Sequence, residues 1–214
     1  MNTITLLLNA LFPRTCVQCE QEGAVLCDGC KKQVHLPSWH TEEKEGITVY
    51  TRVSYKERAV QRLLHAWKYR GDAQAGEIWK EWMGASVLPI TLPANTMCIP
   101  VPLAREAYAE RGFNQAEVLA HALAAAHGFS VLCVLDRLPR AAQAKTKKED
   151  RGDVRVHNPY GIRGEARNST APTHVVLVDD VITTGSTMAA CADVLRAWGV
   201  KEITYCTLAY GNNA

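Results

Sequence analysis

Hydrophobic residues recur at helical spacing in several segments of the chain. Residues Glu57–Tyr69 carry an apolar stripe at Val60, Leu63, Leu64 and Trp67. This period is typical of an amphipathic helix. The same pattern and its end signals predict further helices at Ala75–Leu88, Asn114–His127 and Ser186–Trp198, and a first helix in the apolar segment Met1–Pro13.

Shorter apolar segments alternate with the predicted helices and are rich in β-branched residues, which is typical of strands. The predicted strands are Ile47–Tyr55, Met97–Val101, Ser130–Leu135, His174–Val178 and Ile203–Ala209. The continuously apolar run at His174–Val178 is typical of a strand that is buried on both faces. Strand, helix and strand in succession predict an α/β fold, with a Rossmann-like central parallel sheet and helices on both of its faces.

Two segments follow neither period. Trp39–Gly46 is polar and predicts a connector, and Arg137–Pro159 is polar and basic and predicts a long loop. The character of the sequence changes near residue 45. We therefore expect a small N-terminal module at residues 1–45 and an α/β domain at residues 46–214.

Composition places the chain among ordinary globular proteins. Of its 214 residues, 47% are hydrophobic and 21% are charged, and the net charge of +2 does not by itself indicate a nucleic-acid partner. No Lys or Arg precedes the first apolar run, and no run approaches the length of a membrane span. We expect neither a signal peptide nor a transmembrane helix, and hence a cytoplasmic protein.

Four of the eight cysteines form two C-x-x-C knuckles that are separated by seven residues. They are Cys16, Cys19, Cys27 and Cys30. Paired knuckles at this spacing predict a tetrahedral all-sulfur site, and they favour Zn²⁺ over an iron–sulfur cluster. Because four thiolates fill the coordination sphere, the metal should be structural. The remaining cysteines lie among apolar residues, which predicts buried thiols.

A second cluster follows the predicted strand His174–Val178. Asp179 and Asp180 come first, then Val181 and Ile182, and then the hydroxyl-rich run that leads into a helix, Thr183-Thr184-Gly185-Ser186-Thr187. The carboxyl end of a parallel strand is where α/β folds bind ligands, and the N–H groups of a helix N-terminus favour a phosphate. A carboxylate repels phosphate but accepts hydrogen bonds from vicinal ribose hydroxyls. The segment therefore predicts a site for a ribose 5-phosphate.

This segment resembles the signature of type I phosphoribosyltransferases, in which an apolar strand and two acids precede Thr-Thr-Gly-Ser/Thr. The resemblance implies that phosphoribosyl diphosphate (PRPP) binds here with Mg²⁺. Asp179 and Asp180 would bind the ribose hydroxyls. The remaining PRPP-binding residues would be Val181, Thr183, Thr184, Gly185, Ser186 and Thr187.

A four-cysteine module in front of such a loop resembles the ComF family, also called ComFC or competence protein F. Its Lys-Tyr-x-Gly-Asp block matches residues Lys68–Asp72, and its Arg-Gly-Phe-Asn-Gln block matches Arg111–Gln115. Gln143 and Arg151 match a further element, after which Gly152–Tyr160 departs from the family's Asn-Val pattern. The likeness spans about Leu6 to Leu208.

Several residues are candidates for binding the diphosphate. Lys and Arg side chains can neutralise phosphate oxygens. In type I phosphoribosyltransferases the turn after the second strand contacts pyrophosphate. The candidates are Lys68, Arg105 and Arg111 by charge, and Val101 and Pro102 by their place in this turn.

Three functions fit these residues. The first is a catalytic phosphoribosyltransferase that releases pyrophosphate from PRPP. The second, which we prefer, is a PRPP-binding protein that supports natural transformation by handling incoming single-stranded DNA together with the competence machinery. The segment between Arg137 and Arg155 contains seven Lys or Arg residues and three acids. This basic segment could bind DNA or the diphosphate, or it could be an ordinary solvated loop. The third is a regulator that senses PRPP without turnover.

Overall fold

The structure, a computed structural model, describes residues 14–36, 38–44, 46–138 and 158–211. The helix predicted at Met1–Pro13 lies outside the described residues. So does most of the loop predicted at Arg137–Pro159, including Gln143 and Arg151.

Strands form one large sheet and one short ribbon. The strands are β1 (His40–Lys44), β2 (Ile47–Ser54), β3 (Met97–Pro100), β4 (Ser130–Val131), β5 (Leu135–Arg137), β6 (Tyr160–Ile162), β7 (His174–Ile182) and β8 (Glu202–Tyr210). The large sheet has the order β1-β2-β8-β7-β3-β4, and every pairing in it is parallel except that of β1 with β2. The predicted parallel α/β sheet is confirmed, with one antiparallel edge strand.

Two of the helices described begin at a side chain that caps them, and the helix predicted at Ala75–Leu88 instead runs from Ala73 to Gly84. The helices are α1 (Asp28–Gln33), α2 (Arg58–Arg70), α3 (Ala73–Gly84), α4 (Arg105–Arg111), α5 (Gln115–His127) and α6 (Ser186–Trp198). The Asp72 carboxylate caps α3 by accepting from the N–H groups of Gln74 and Ala75 at 2.9 and 3.1 Å. Asn114 caps α5 by accepting from the N–H of Ala116, as predicted. Helices α1 and α4 were not predicted.

The structure differs from three predictions, one of a connector and two of strands. The predicted connector at Trp39–Gly46 instead forms β1, because its polar residues pair along the exposed edge of β2. The strand predicted at Ser130–Leu135 is split between β4 and β5, and β5 leaves the large sheet to pair with β6. Strand β7 continues past Val178 to Ile182, because β8 still offers it a partner there.

Two apolar layers enclose the sheet. On β7, Val176 and Val178 pack in the layer that contains the buried faces of α2, α3 and α5. Val175 and Leu177 pack in the layer that contains α6. Because successive strand residues point to opposite faces, the two acids that follow start out on different sides of the sheet.

The cysteine-rich segment docks on α2 and α3. Val25 and Leu26 are buried in the same apolar layer as these helices. The Val25 N–H donates to Gln74 Oε1 at 2.7 Å, and an Arg62 N–H donates to the Val17 carbonyl at 2.7 Å. The division at residues 45 and 46 stays a prediction, and it falls in the turn between β1 and β2.

Candidate functional site

The hydroxyl-rich segment forms an open loop between β7 and α6. Gly185 has φ of 95°, a left-handed conformation that glycine adopts without strain, and it immediately precedes the first turn of α6. Thr183, Thr184 and Ser186 are exposed. The hydroxyls of Thr184 and Ser186 lie 2.9 Å apart. The donors of this segment are therefore accessible to a ligand.

A small cavity of about 50 Å³ lies within the loop. Its lining residues are Asp179, Val181, Ile182, Thr183, Thr184, Gly185, Ser186, Thr187 and Met188. The first N–H groups of α6 have no acceptor within the helix, and the helix dipole makes this end positive. The cavity, which we call the cradle, can thus bind an anion through hydroxyls and main-chain N–H groups.

The two acids of β7 have different surroundings. Asp179 lines the cradle, and the N–H of Asp180 donates to Asp179 Oδ1 at 2.8 Å. Burial, together with the charge of Asp180, raises the pKa of Asp179 to about 7, despite this hydrogen bond and the nearby Lys68. Asp180 instead forms an ion pair with Lys68 on α2, with Nζ and Oδ2 at 2.7 Å.

The acids lie beside an open stretch of β7. Strand β3 pairs with β7 only as far as Pro100 opposite Val178, and the N–H of Val101 then donates to the Val178 carbonyl at 2.8 Å. Beyond this point the chain turns away into α4. The turn at Val101 and Pro102, which was predicted to contact diphosphate, therefore lies next to the acids. On the side of β3, the residues of β7 after Val178 have no strand partner within the described ranges, and we call the space between them and this turn the cleft.

The three candidate cations differ in position. Lys68 lies at Asp180. The Arg111 guanidinium lies over the ring of Tyr69, 5.2 Å from its centroid, and this residue follows Lys68 on α2. Arg105 is exposed and faces Asp136 at 3.5 Å. It lines a cavity of about 410 Å³ together with Pro102 of the turn. The fold therefore places Lys68 at the acids and Arg111 on the neighbouring Tyr69, whereas Arg105 shares a cavity with Pro102.

Lys44, at the end of β1, was not identified from the sequence. A Cβ placed on Gly185 would lie 3.0 Å from the Lys44 Cβ and 3.4 Å from its carbonyl oxygen. The end of β1 thus packs against the loop at Gly185. No local signal could have shown this, because the contact joins segments about 140 residues apart.

The four clustered cysteines converge as their spacing predicts. Their sulfur atoms all lie within 4.8 Å of one another. The Cys27 N–H donates to Cys16 Sγ at 3.4 Å. Burial raises the pKa of Cys16, but hydrogen bonds from the N–H groups of Cys27, Cys19 and Gln18 outweigh it and lower this pKa to about 6.

The crowding of these thiols has a chemical consequence. Burial and the neighbouring sulfurs raise the pKa of Cys30 to about 12. Four thiolates this close together repel one another unless a cation neutralises them. The donor set fits a tetrahedral ion held by four sulfurs, which leaves no open coordination position of the kind that a catalytic metal keeps.

The other cysteines agree with the prediction of buried thiols for three of four residues. Cys98, Cys191 and Cys206 are buried, and Cys133 is half-buried. Within the described ranges, no helix is both long and apolar enough to cross a membrane.

Comparison with known proteins defines the class. Residues 109–214 match the family described as Phosphoribosyl transferase domain. With the parallel sheet and the loop after β7, this match defines a type I phosphoribosyltransferase-like fold. The predicted fold class is thereby confirmed.

The curated relatives of this chain are competence proteins. The chain is 28% identical to Competence protein ComFC of Streptococcus pneumoniae, over 75% of this chain and 68% of the relative. It is 28% identical to Competence protein ComFC of Bacillus subtilis, over 75% and 64%, and 33% identical to Competence protein F of Haemophilus influenzae, over 49% and 46%. The chain is therefore a phosphoribosyltransferase-like protein that is similar to the ComFC and competence F proteins, and it spans about two-thirds or less of these relatives.

Solved structures are more distant. An allosteric regulatory enzyme of purine biosynthesis is 18% identical, with a TM-score of 0.43 over 63% of this chain and 26% of that one. Adenine phosphoribosyltransferase of Leishmania tarentolae is 12% identical, with a TM-score of 0.38 over 68% and 74%.

Proposed function

We propose that this protein binds PRPP, as its Mg²⁺ complex, at the carboxyl end of β7. The observation that carries the proposal is the accessible cradle with carboxylates directly beside it. The 5′-phosphate accepts hydrogen bonds from the hydroxyls of Thr183, Thr184, Ser186 and Thr187 and from the N–H groups at the start of α6. Val181 and Gly185 complete the wall of the cradle.

The acids serve the sugar in this proposal. Asp179 and Asp180 accept hydrogen bonds from the 2′ and 3′ hydroxyls, and Asp180 exchanges part of its contact with Lys68 for these donors. The diphosphate extends into the cleft beside Val101 and Pro102. Lys68 and Arg111 then provide positive charge, and Arg105 contributes only if it leaves Asp136. Mg²⁺ arrives with the substrate and neutralises diphosphate oxygens.

Calorimetry tests this site. We expect Mg²⁺-PRPP to bind the wild-type protein and to bind at least tenfold more weakly to the Asp179→Asn/Asp180→Asn variant. The replacements remove two charged acceptors, each of which is worth about 1.5–3 kcal/mol. Lys201→Ala, an exposed change at the opposite end of the sheet, is the control. Absence of binding to the wild-type protein would reject the site.

We further propose a cytoplasmic role in natural transformation, with single-stranded DNA and the competence machinery as partners. The support is the naming of the relatives as competence proteins and the basic sequence between Arg137 and Arg155. Fluorescence anisotropy with a labelled single strand at two salt concentrations tests DNA binding. Replacement of Lys145, Lys147 and Lys148 by Ala should weaken binding and reduce its salt dependence. Unchanged binding by this variant would exclude these lysines as the contact.

We propose Zn²⁺ as the ion of the four-cysteine site, in a structural role. The supporting observation is the convergence of four sulfurs on one point. Metal analysis of the purified protein should give one zinc per chain, whereas detection of iron with visible absorbance would favour a cluster.

Catalytic phosphoribosyl transfer is the second candidate. It is favoured by the end of the β3–β7 pairing at Pro100 and Val178, because Asp179 and Asp180 follow on β7 without a partner on β3. A nitrogen nucleophile would displace pyrophosphate from the anomeric carbon, and the pyrophosphate would leave with the metal. Pyrophosphate release from PRPP with a panel of bases tests this candidate. If PRPP binds but no base supports release, a regulator that senses PRPP is favoured instead.

A further inference from the structure

Tyr160, the first residue of β6, is a buried tyrosine on the short ribbon that β5 and β6 form. Its side chain is only 7% exposed, and it packs in the apolar layer that contains Met188 and Cys191 of α6. Met188 also lines the cradle. The ribbon therefore lies against the first turns of α6, although it is not part of the large sheet.

Two hydrogen bonds and a ring contact hold Tyr160 at α6. Asn158 Nδ2 donates to the Ala190 carbonyl at 2.5 Å, and Asn158 Oδ1 accepts from the N–H of Tyr160 at 3.0 Å. Ala190 lies about one helical turn after Thr187, a residue of the cradle. Arg137 pairs with Tyr160 across the ribbon, and its guanidinium lies 5.8 Å from the centroid of the tyrosine ring.

The hydroxyl of Tyr160 reaches the cradle. Burial is the largest cause that raises the pKa of Tyr160, and the charge of Asp179 raises it further, whereas a hydrogen bond with the Thr187 side chain lowers it. Asp179 and Thr187 both line the cradle. Because the raised pKa keeps the tyrosine hydroxyl protonated at neutral pH, this hydroxyl can donate a hydrogen bond.

Thr187 differs in this respect from the other hydroxyl residues of the cradle. Thr183, Thr184 and Ser186 are exposed, whereas Thr187 is half-buried and has a buried tyrosine beside it. A threonine hydroxyl has one hydrogen to donate and two lone pairs to accept. When Thr187 Oγ1 accepts from Tyr160, its own hydrogen is left for an anion in the cradle, and hydrogen bonds in such a chain strengthen one another.

We propose that Tyr160 is a positioning residue for the phosphate site, because it donates to Thr187 and so orients the Thr187 hydroxyl towards the anion in the cradle. The inference rests on the proposed function and adds to it a residue that does not touch the ligand. It also gives the ribbon of β5 and β6 a part in phosphate binding, since Asn158 and Arg137 hold Tyr160 in place.

A double-mutant cycle tests this chain of hydrogen bonds. Ribose 5-phosphate is titrated calorimetrically into the wild-type protein, Tyr160→Phe, Thr187→Val and the double variant. Tyr160→Phe keeps the ring and removes only the hydroxyl, so it should weaken binding roughly three- to tenfold, as expected for one hydrogen bond. In the Thr187→Val background the same change should have no further effect. An equal loss in both backgrounds would overturn the inference, because a merely structural effect of Tyr160 would be additive.

Tyr205→Phe is the matched control. Tyr205 is a buried tyrosine of the same apolar layer, and its hydroxyl accepts from Arg196 at 2.9 Å, near the other end of α6. Tyr205→Phe should leave the affinity unchanged, and a loss equal to that of Tyr160→Phe would contradict the inference.

Phosphorus NMR gives a second readout at the ligand itself. The ³¹P resonance of bound ribose 5-phosphate should move in Tyr160→Phe and stay in place in Tyr205→Phe, because only the first change alters a donor to the phosphate. An unchanged resonance together with unchanged affinity in Tyr160→Phe would overturn the inference. Failure of ribose 5-phosphate to bind the wild-type protein would instead reject the proposed phosphate site.

Discussion

At the residue scale, Asp179 and Asp180 are adjacent in sequence but differ in environment. Asp180 has a cation partner at 2.7 Å, whereas Asp179 is desolvated, and its pKa is raised to about 7 from an ordinary value of 3.8. An acid with a raised pKa is bound to its proton in the folded chain at pH values where the unfolded chain has released it. Asp179 therefore lowers the free energy of unfolding progressively as the pH rises from about 4 to about 7.

We predict that Asp179→Asn stabilises the protein at pH 8 by roughly 2 kcal/mol relative to the wild type, with a difference that shrinks towards pH 5. The amide oxygen still accepts from the Asp180 N–H, so the replacement removes mainly the ionisation cost. Urea unfolding at the two pH values measures this difference. A pH-independent difference would contradict the raised pKa.

The matched change at Asp180 should have the opposite effect. Asp180→Asn leaves the half-buried ammonium of Lys68 without its ion-pair partner. We expect a loss of about 1–2 kcal/mol at pH 8, below the range for fully buried pairs because both side chains keep some solvent contact. The same urea titrations measure the loss, and a gain in stability here would show that the ion pair is unimportant.

Gly185 is constrained by both backbone and space. We predict that Gly185→Ala lowers stability by roughly 1–3 kcal/mol, because φ of 95° disfavours a Cβ and the Cβ would lie 3.0 Å from Lys44. Gly128→Ala is the control, since it has φ of 72° but nothing within 4 Å of its Cβ. Thermal unfolding should rank Gly185→Ala as the costlier change. PRPP affinity should fall only in that variant.

At the scale of elements, α2 and α3 approach each other closely at one glycine. A Cβ on Gly76 of α3 would lie 2.8 Å from Nε1 of Trp67, whose ring is buried in α2. This close approach sets the position of α2 on the sheet. The end of α2 carries Lys68, so the packing of the two helices helps to position the ammonium group that pairs with Asp180.

We predict that Gly76→Ala destabilises the protein by about 1–3 kcal/mol, although alanine is normally the better helix former. The Trp67 ring cannot move without disturbing the core. Gly84→Ala in the same helix is the control, because its nearest contact is 3.4 Å. Chemical unfolding compares the two variants, and equal stability would contradict the tight contact.

At the scale of the whole molecule, the four-cysteine segment belongs to the main core. Cys16, Val25 and Leu26 are buried in the layer formed by α2 and α3, and Lys31 forms an ion pair with Glu81 at 2.5 Å. The metal module therefore supports α3 and also α2, whose last turn carries Lys68 at Asp180. Loss of the metal should affect the fold as a whole.

We predict that chelation of the metal, or Cys30→Ser, lowers the midpoint of thermal unfolding of the entire protein. Metal binding requires the folded arrangement of thiolates, so its free energy stabilises the fold. Cys133→Ser, outside the cluster, should retain the metal and the midpoint. Differential scanning calorimetry with metal analysis measures both. An unchanged main transition after metal removal would contradict the shared core.

The sequence by itself determined the features that are encoded locally. Each of these features lies within a short continuous segment. They are the helical hydrophobic patterns of α2, α5 and α6, the strand before Asp179, the hydroxyl-rich turn and the cysteine knuckles. Their physics depends on neighbours within a few residues: helical spacing, capping and ligand spacing. That is why the α/β fold and the location of the cradle could be predicted.

Tertiary structure alone decided how these segments meet. Three contacts join residues that are far apart in sequence. They are the pairing of Lys68 with Asp180, the placement of Arg111 on Tyr69 and the approach of Lys44 to Gly185. Such contacts depend on where helices cross the sheet and where β3 ends, and hydrophobic periodicity contains no information about either. The polar strand β1 was missed for the same reason, because edge pairing with β2 stabilises it and its own sequence does not.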